Sequence, residues 1–468
     1  MGRDMRDLSF ANGYEIAKAV SKGDVSAQAV VESALSTIQT RNQTINAFTD
    51  VTAERAVARA KTLDADRAAG KALGPLAGVP FAVKNLFDVA GLPTRAGSKI
   101  NRELPPAQHD PPLIEKLEAA GAILIGALNM GEYAYDFTGE NIHDGPSRNP
   151  HDVTRMTGGS SGGSGGAVAG GLVPLALGSD TNGSIRVPAS LCGIFALKPT
   201  YGRLSRARSF PFVGSFDHLG PLTRCTRDLA LAYDAMQGHD PEDPVSTTRS
   251  SEPVSPQLPR GLDGLRIALA GGYFRKQGFP EAYQEVDHVA KALNVSREVE
   301  LPEVHRARAA AFVITTTEGA ALHLDRLRER PNDFDPAVRD RLLAGAIIPS
   351  SLVVKAQKFR RWYREEVLAL FKDVDAIIAP ATPCTAPSIG QQNFMLDGVE
   401  MSVRANLGIY TQPISFIGLP VVAVPVPLKP LPIAVQIIAA PWREDIALRI
   451  AQALEEQGAV SAPRPPLN

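Results

Sequence analysis

Apolar residues recur at the three-to-four spacing of a single helix face through residues 14–46, and the pattern is broken once, at Gly23-Asp24-Val25-Ser26. A glycine stop followed by a serine N-cap predicts two helices rather than one. An Ala/Arg-rich stretch at 53–69 predicts a third. Beyond it the pattern changes to short, continuous apolar runs at 80–83, 122–125, 265–270, 376–379, 421–425 and 433–438. These alternate with helical spacing at 112–120, 306–322 and 445–457. Continuous apolar runs suit strands buried on both faces, and their alternation with helices predicts an α/β fold built on a large mixed β-sheet. The Pro/Ser-rich stretch 240–259 reads as a surface loop, and there is no internal repeat. The expected organisation is an N-terminal helical segment, 1–70, packed as one unit with a body spanning 71–468.

Composition narrows the function. With 49 basic residues against 50 acidic ones the chain has no global field for nucleic acid or an anionic membrane. The uncharged stretch 405–428 contains Pro413, Pro420, Pro425 and Pro427, which a membrane-spanning helix would not tolerate. Met1-Gly2-Arg3-Asp4-Met5-Arg6 has no apolar segment behind it, so it is not read as a secretory signal, nor does Arg6 fit a myristoylation site. Cys192, Cys225 and Cys384 are far apart and suggest neither a disulfide framework nor a metal site, which suits a reducing cytoplasm. No cofactor is expected.

The chemistry concentrates in two segments, Gly158-Gly159-Ser160-Ser161-Gly162-Gly163-Ser164 and Asp180-Thr181-Asn182-Gly183-Ser184-Ile185-Arg186. Glycine-rich backbone can aim several N–H groups and hydroxyls at one point, as an oxyanion site requires. No Gly-Lys-Ser/Thr ending follows, so a phosphate-binding loop is disfavoured. Upstream, Lys84 closes the apolar run of Gly78-Val79-Pro80-Phe81-Ala82-Val83-Lys84. A lysine carried inside on a strand loses its hydration, its pKa falls, and the neutral amine becomes a base. The alternative for such a lysine is an ammonium snorkelling to the surface. A Ser-His-Asp triad is the rival, since Gly158-x-Ser160-x-Gly162 fits a nucleophile elbow, but none of the eight histidines stands in a matching context. His218 reads as a structural hydrogen-bonding residue.

Taken together, Lys84, the Gly-Gly-Ser-Ser-Gly-Gly loop and Gly183-Ser184-Ile185-Arg186 resemble the amidase signature family, as does the run Cys192-Gly193-Ile194-Phe195-Ala196-Leu197-Lys198-Pro199-Thr200-Tyr201-Gly202-Arg203. The resemblance implies the family's sheet fold with helices on both faces. It also implies Ser184 as nucleophile, Ser160 on a cis peptide as bridging serine, Lys84 as base, and the N–H groups of Thr181, Asn182, Gly183 and Ser184 as the oxyanion site. Asn182 departs from the pattern, standing where a glycine is usual, and asparagine tolerates positive φ. Met130 and Gly131 match a segment bordering the acyl pocket, and Tyr135 and Phe137 are either further lining of that pocket or core aromatics. Residues 97–102, 140–150 and 179–194 resemble a branch acting on a carboxylated biuret-type ureide, for which Arg404, Gln412 and Asn182 are candidate contacts, Arg404 either holding the anion or serving as a surface or loop-bracing residue. Asp180 and Arg186 are expected to brace the loop. The activity implied is hydrolysis of a C–N bond in a small linear amide, ureide or carbamate. A urethane-cleaving enzyme and the amidase component of a tRNA-dependent amidotransferase are the alternatives. The branch further implies a small helical partner subunit, while a homodimer stays open.

Overall fold

The computed structural model describes residues 8–466; the reading of Met1–Arg6 therefore lies outside the described residues. The strands in chain order are β1 (Phe48–Val51), β2 (Pro80–Lys84), β3 (Ile123–Leu128), the short pair β4 (Arg148–Asn149) and β5 (Asp152–Met156), β6 (Leu175–Asp180), β7 (Phe195–Lys198), β8 (His218–Thr223), β9 (Ile267–Ala270), β10 (Glu298–Val299), β11 (Ala376–Pro380), the hairpin β12 (Asn393–Leu396) and β13 (Val399–Ser402), β14 (Val421–Val426) and β15 (Ile433–Ala439). Eleven of them form one sheet in the order β1-β3-β2-β6-β8-β7-β14-β15-β11-β9-β10. The pairings β3–β2, β2–β6, β11–β9 and β9–β10 are parallel and the others antiparallel, so the sheet is mixed.

Every residue of β2, β3, β6, β7, β8, β11, β14 and β15 is buried. Successive strand residues point to opposite faces, so unbroken burial means that both faces of the sheet are covered. The amphipathic helix Glu444–Glu456 packs on β14 and β15, and Thr226–Met236 packs on β7 and β8. The opening helices are Gly13–Lys22, ended by Gly23 at φ 81°, and Ala27–Ile45, whose N-cap Ser26 accepts a hydrogen bond from Ala29 N. The N-terminal segment also supplies β1, an edge strand between the second and third helices that the helical expectation for 1–70 does not include.

Three interior strands, β6, β7 and β8, are not among the runs expected from the apolar pattern. β8 contains Gly220 and Pro221, which read locally as a turn, and yet it lies between β6 and β7, with Pro221 opposite Leu177. Burial between two neighbours overrides a weak local preference. The run at 265–270 begins as a strand only at Ile267, and the stretch 240–259 ends in a short 3-10 helix, Ser255–Arg260.

The topology positions the chemistry. β2 and β6 are parallel neighbours, with Val83 opposite Leu177, so their carboxyl ends deliver Lys84 and Ser179 side by side. Loops at the carboxyl ends of parallel strands are where α/β sheets place ligands.

Candidate active site

Lys84 ends β2 with no solvent exposure. Its Nζ donates to Ser160 Oγ at 2.7 Å and to Ser179 Oγ at 2.8 Å. Burial drives its pKa from 10.5 down to about 7, against the opposing pull of Asp217, Asp180 and Asp136. Near neutral pH a large share of these amines therefore carries a free lone pair beside a serine hydroxyl.

Ser160 lies in the loop between β5 and the helix Gly162–Ala169, and the Gly159–Ser160 peptide is cis. Gly159 is required by its surroundings, since a Cβ there would approach Asp136 Oδ2 to 2.5 Å. Asp136 organises the approach to the loop: its Oδ2 accepts from Thr138 N at 2.9 Å and Gly139 N at 2.6 Å. Gly131 N donates to Ser160 O at 3.1 Å, while Met130 is buried and its carbonyl accepts from Asn141 Nδ2 at 2.8 Å.

Ser184 follows β6 on a turn whose Gly183 has φ 141°, and a Cβ at Gly183 would run into Thr411 Oγ1. The positive φ falls on Gly183 and not on Asn182, so the asparagine occupies its position without needing a left-handed backbone. The main-chain N–H groups of Thr181, Asn182, Gly183 and Ser184 have no acceptor among the described residues, so none of the four expected donors is already engaged. Thr181 is held by its side chain, Oγ1 donating to Asp217 Oδ1 at 2.6 Å, and Asp217 also accepts from Phe212 N and Val213 N. The two serine segments meet through Ser161 N donating to Ser184 O at 3.3 Å. Lys84 and Ser160 are thus joined directly, whereas Ser184 meets the Ser160 loop through main chain.

The turn is anchored from below by Asp180 and Arg186, both with fully buried side chains. Arg186 grips the carboxylate through Nε to Oδ2 at 3.0 Å and Nη2 to Oδ1 at 3.1 Å. Its Nη1 reaches Gln436 Oε1 at 2.6 Å and Nη2 reaches Thr411 O at 3.1 Å and the Ser415 hydroxyl. Burial alone would raise the Asp180 pKa, but Arg186 outweighs it and holds the carboxyl well below the usual range. His218 stands beneath this brace, Nδ1 3.1 Å from Asp180 O, and burial depresses its pKa far below the ordinary value. It is a neutral ring with no serine partner among the described residues.

Ser184 opens onto a small cavity of about 10 Å³, room for about one water. Tyr135, Asp136, Phe137, Asn182, Thr315, Arg341 and Gln412 share its wall. A larger cavity of about 190 Å³, lined by Leu86, Ser179 and Asp217 among others, has Ala134, Thr181 and Phe212 in common with it. Gln412 Oε1 is held by Arg308 Nε at 3.1 Å. Arg404 is not in this wall: it pairs with Asp136 at 2.6 Å and Glu140 at 3.4 Å, so the guanidinium expected to hold a substrate anion is already matched by two carboxylates. The cation that faces the cavity is Arg341. Arg341, Ser179 and Asp217 are not among the candidates the sequence offers. Ser179 is signalled only by its place on the strand preceding the turn, whereas Arg341 carries no local signature.

The buried lysine on a serine hydroxyl and the second serine on its turn thus lie in neighbouring segments of the sheet's carboxyl edge, linked by the Ser161 N to Ser184 O hydrogen bond. The sequence matches the family model "Amidase" over residues 29–448, and the chain belongs to the amidase signature family. It is 54% identical over 447 residues to AtzE, a subunit of the 1-carboxybiuret hydrolase of Pseudomonas sp. (strain ADP), covering 95% of this chain and 98% of that protein. A subunit of the glutamyl-tRNA(Gln) amidotransferase of Chromohalobacter salexigens is 36% identical over 472 residues, covering 94% of this chain and 95% of that protein. Among solved structures, one described as "An unexpected vestigial protein complex reveals the evolutionary origins of an s-triazine catabolic enzyme" superposes with a TM-score of 0.95 at 53% identity, covering 97% of this chain and 100% of that one.

Proposed function

We propose that the chain is an amidohydrolase that cleaves a C–N bond of a small, linear, carboxylated biuret-type ureide through an acyl-enzyme on Ser184, releasing ammonia. The observation that carries this reading is the fully buried Lys84 amine at 2.7 Å from Ser160 Oγ, poised near neutrality. Ser184 Oγ attacks the substrate carbonyl while its proton passes to Ser160, whose own proton goes to neutral Lys84. The oxyanion is received among the N–H groups of Thr181, Asn182, Gly183 and Ser184, an interaction of about 3–4 kcal/mol per donor in the transition state. Collapse breaks the C–N bond, and the leaving nitrogen recovers a proton from the Lys84 ammonium through Ser160. Water then attacks the acyl-enzyme by the same relay and frees Ser184.

The choice of ureide is supported by the 54% identity to the 1-carboxybiuret hydrolase protein AtzE. A panel of carboxylated ureides, simple amides and aryl carbamates, with Ser184→Ala as control, tests it. Turnover confined to uncharged carbamates would replace the ureide by a urethane. The 36% identity to an amidotransferase component supports a second reading, ammonia release from glutamine for a tRNA-bound partner. Glutaminase activity stimulated by such a partner would favour it. On the ureide reading the protein works in the cytoplasm as one unit, 1–70 packed on 71–468, together with a small helical subunit or with a second copy. A homogeneous monomer, fully active when purified alone, would remove the partner.

A further inference from the structure

Three carboxylates pull on the Lys84 amine against its burial, Asp217 most strongly, then Asp180 and Asp136. Two of them have a guanidinium of their own, Asp180 with Arg186 at 3.0 Å and Asp136 with Arg404 at 2.6 Å. Asp217 has no cation within salt-bridge distance among the described residues. Its partners are neutral: Thr181 Oγ1 donates to Oδ1 at 2.6 Å, and Phe212 N and Val213 N donate to Oδ2 at 2.8 and 2.9 Å. Burial raises the Asp217 pKa and these bonds oppose the rise. Three neutral donors suit the ionised carboxylate, an acceptor only, and leave its charge uncancelled.

The sheet register explains how this side chain comes to its place. β6 and β8 pair with Ser179 opposite Leu219 and Asp180 opposite His218. One step further along both strands, Thr181 meets Asp217. Ser179, whose hydroxyl accepts from Lys84 Nζ at 2.8 Å, lines the same cavity of about 190 Å³ as Asp217. The other charges on that cavity are matched. Arg206 grips Asp243 through Nε at 3.1 Å and Nη2 at 3.0 Å, and Glu242 is paired with Arg208 at 2.7 Å. His218, the next residue, is a neutral ring, and burial raises the pKa of Tyr201 and keeps that phenol neutral.

We propose that Asp217 is a positioning residue for hydrolysis, both the counter-charge for the Lys84 ammonium formed during attack and the anchor of the turn that carries Ser184, a role that rests on Lys84 being the base as proposed above. When the Ser184 proton reaches Lys84 through Ser160, a positive charge appears on an amine with no exposed surface. A nearby carboxylate lowers the cost of that charge, and one already cancelled by a guanidinium lends it less field. Asp217 touches neither the substrate nor the serines. It acts through the amine and, by way of Thr181, through the first residue of the turn.

The test follows ammonia release between about pH 5 and 9 from a carboxylated ureide or a simple amide, whichever the wild type turns over faster. Asp217→Asn keeps the shape and removes the charge: the amide oxygen accepts from Phe212 N and Val213 N, and its NH₂ donates to a Thr181 hydroxyl turned to accept. The acid limb of kcat/KM should move at least about half a pH unit lower, with kcat on the plateau down about 10- to 100-fold and KM changed less than about threefold. Asp217→Glu keeps the charge and should hold the limb in place. Thr181→Val cuts the tie to the turn and leaves the charge, so kcat should fall while the limb stays. A limb unmoved in Asp217→Asn, or moved as far in Thr181→Val, overturns the role of Asp217 and leaves Lys84 as the base. A wild-type profile without an acid limb removes the base itself. Should Asp217→Asn fail to fold, a downward shift in either of the other two variants refutes the assignment.

Discussion

Replacing Lys84 by methionine separates the two consequences of burying an amine. In the folded protein the group has a pKa near 7 in place of 10.5, with no exposed surface. Such a shift corresponds to about 5 kcal/mol of preference for the neutral form. The reactive state is the neutral amine, so kcat/KM should rise with pH along a limb centred near 7 and fall about tenfold for each unit below it. Lys84→Met should lose most activity at every pH. Stability should move the other way. Between pH 7 and 10.5 the unfolded chain holds a proton on this lysine that the folded chain has released, so wild-type stability rises with pH across that window. Below pH 7 both states are protonated and the buried charge weighs fully against folding. Methionine removes that charge, so its advantage in denaturant unfolding should be largest at about pH 6 and shrink toward about pH 10. Rate profiles and urea titrations at about pH 6, 8 and 10 test both halves. A flat rate profile between about pH 5.5 and 8, or a methionine variant whose stability tracks that of wild type at every pH, would refute the claim that this amine is buried neutral.

Ser179→Ala removes one acceptor from the Lys84 ammonium, so the acid limb should move to lower pH while kcat falls less than about 100-fold; a limb that stays in place denies Ser179 its hold on the amine. Gly183→Ala forces a Cβ onto Thr411 Oγ1 at a backbone angle that L-residues avoid, and should cost about 1–3 kcal/mol of stability along with most turnover, read by thermal unfolding and steady-state rates. Arg186→Met strands the Asp180 carboxylate in the interior and should destabilise the fold by about 3–5 kcal/mol in denaturant titrations at neutral pH.

What can be read from the chain alone is whatever is written in consecutive residues. The glycine-serine loop, the lysine closing an apolar run and the turn 180–186 each carry their meaning locally, and so do the helix caps at Gly23 and Ser26. The alternation of apolar runs and helices is enough for a covered mixed sheet. What escapes is assembled across distance. β8 reads as Gly-Pro turn material and becomes an interior strand only because β6 and β7 flank it. Arg341 sits in a helix with no pattern pointing at a site, and it reaches the Ser184 cavity because that helix packs on Val304–Glu329. Arg404 looks like the anion holder because sequence shows a charge but not the carboxylates that answer it, Asp136 and Glu140.

The brace on Asp180 has a temporal meaning. Arg186 directs its remaining hydrogen bonds to Thr411, Ser415 and Gln436, residues more than two hundred positions further along the chain. A nascent polypeptide that has made the serine turn therefore lacks its full clamp until the ribosome has delivered β15. The clamp is thus complete only when synthesis is nearly finished, and any fragment ending before Gln436 carries the turn without all the hydrogen bonds that hold Arg186 in place.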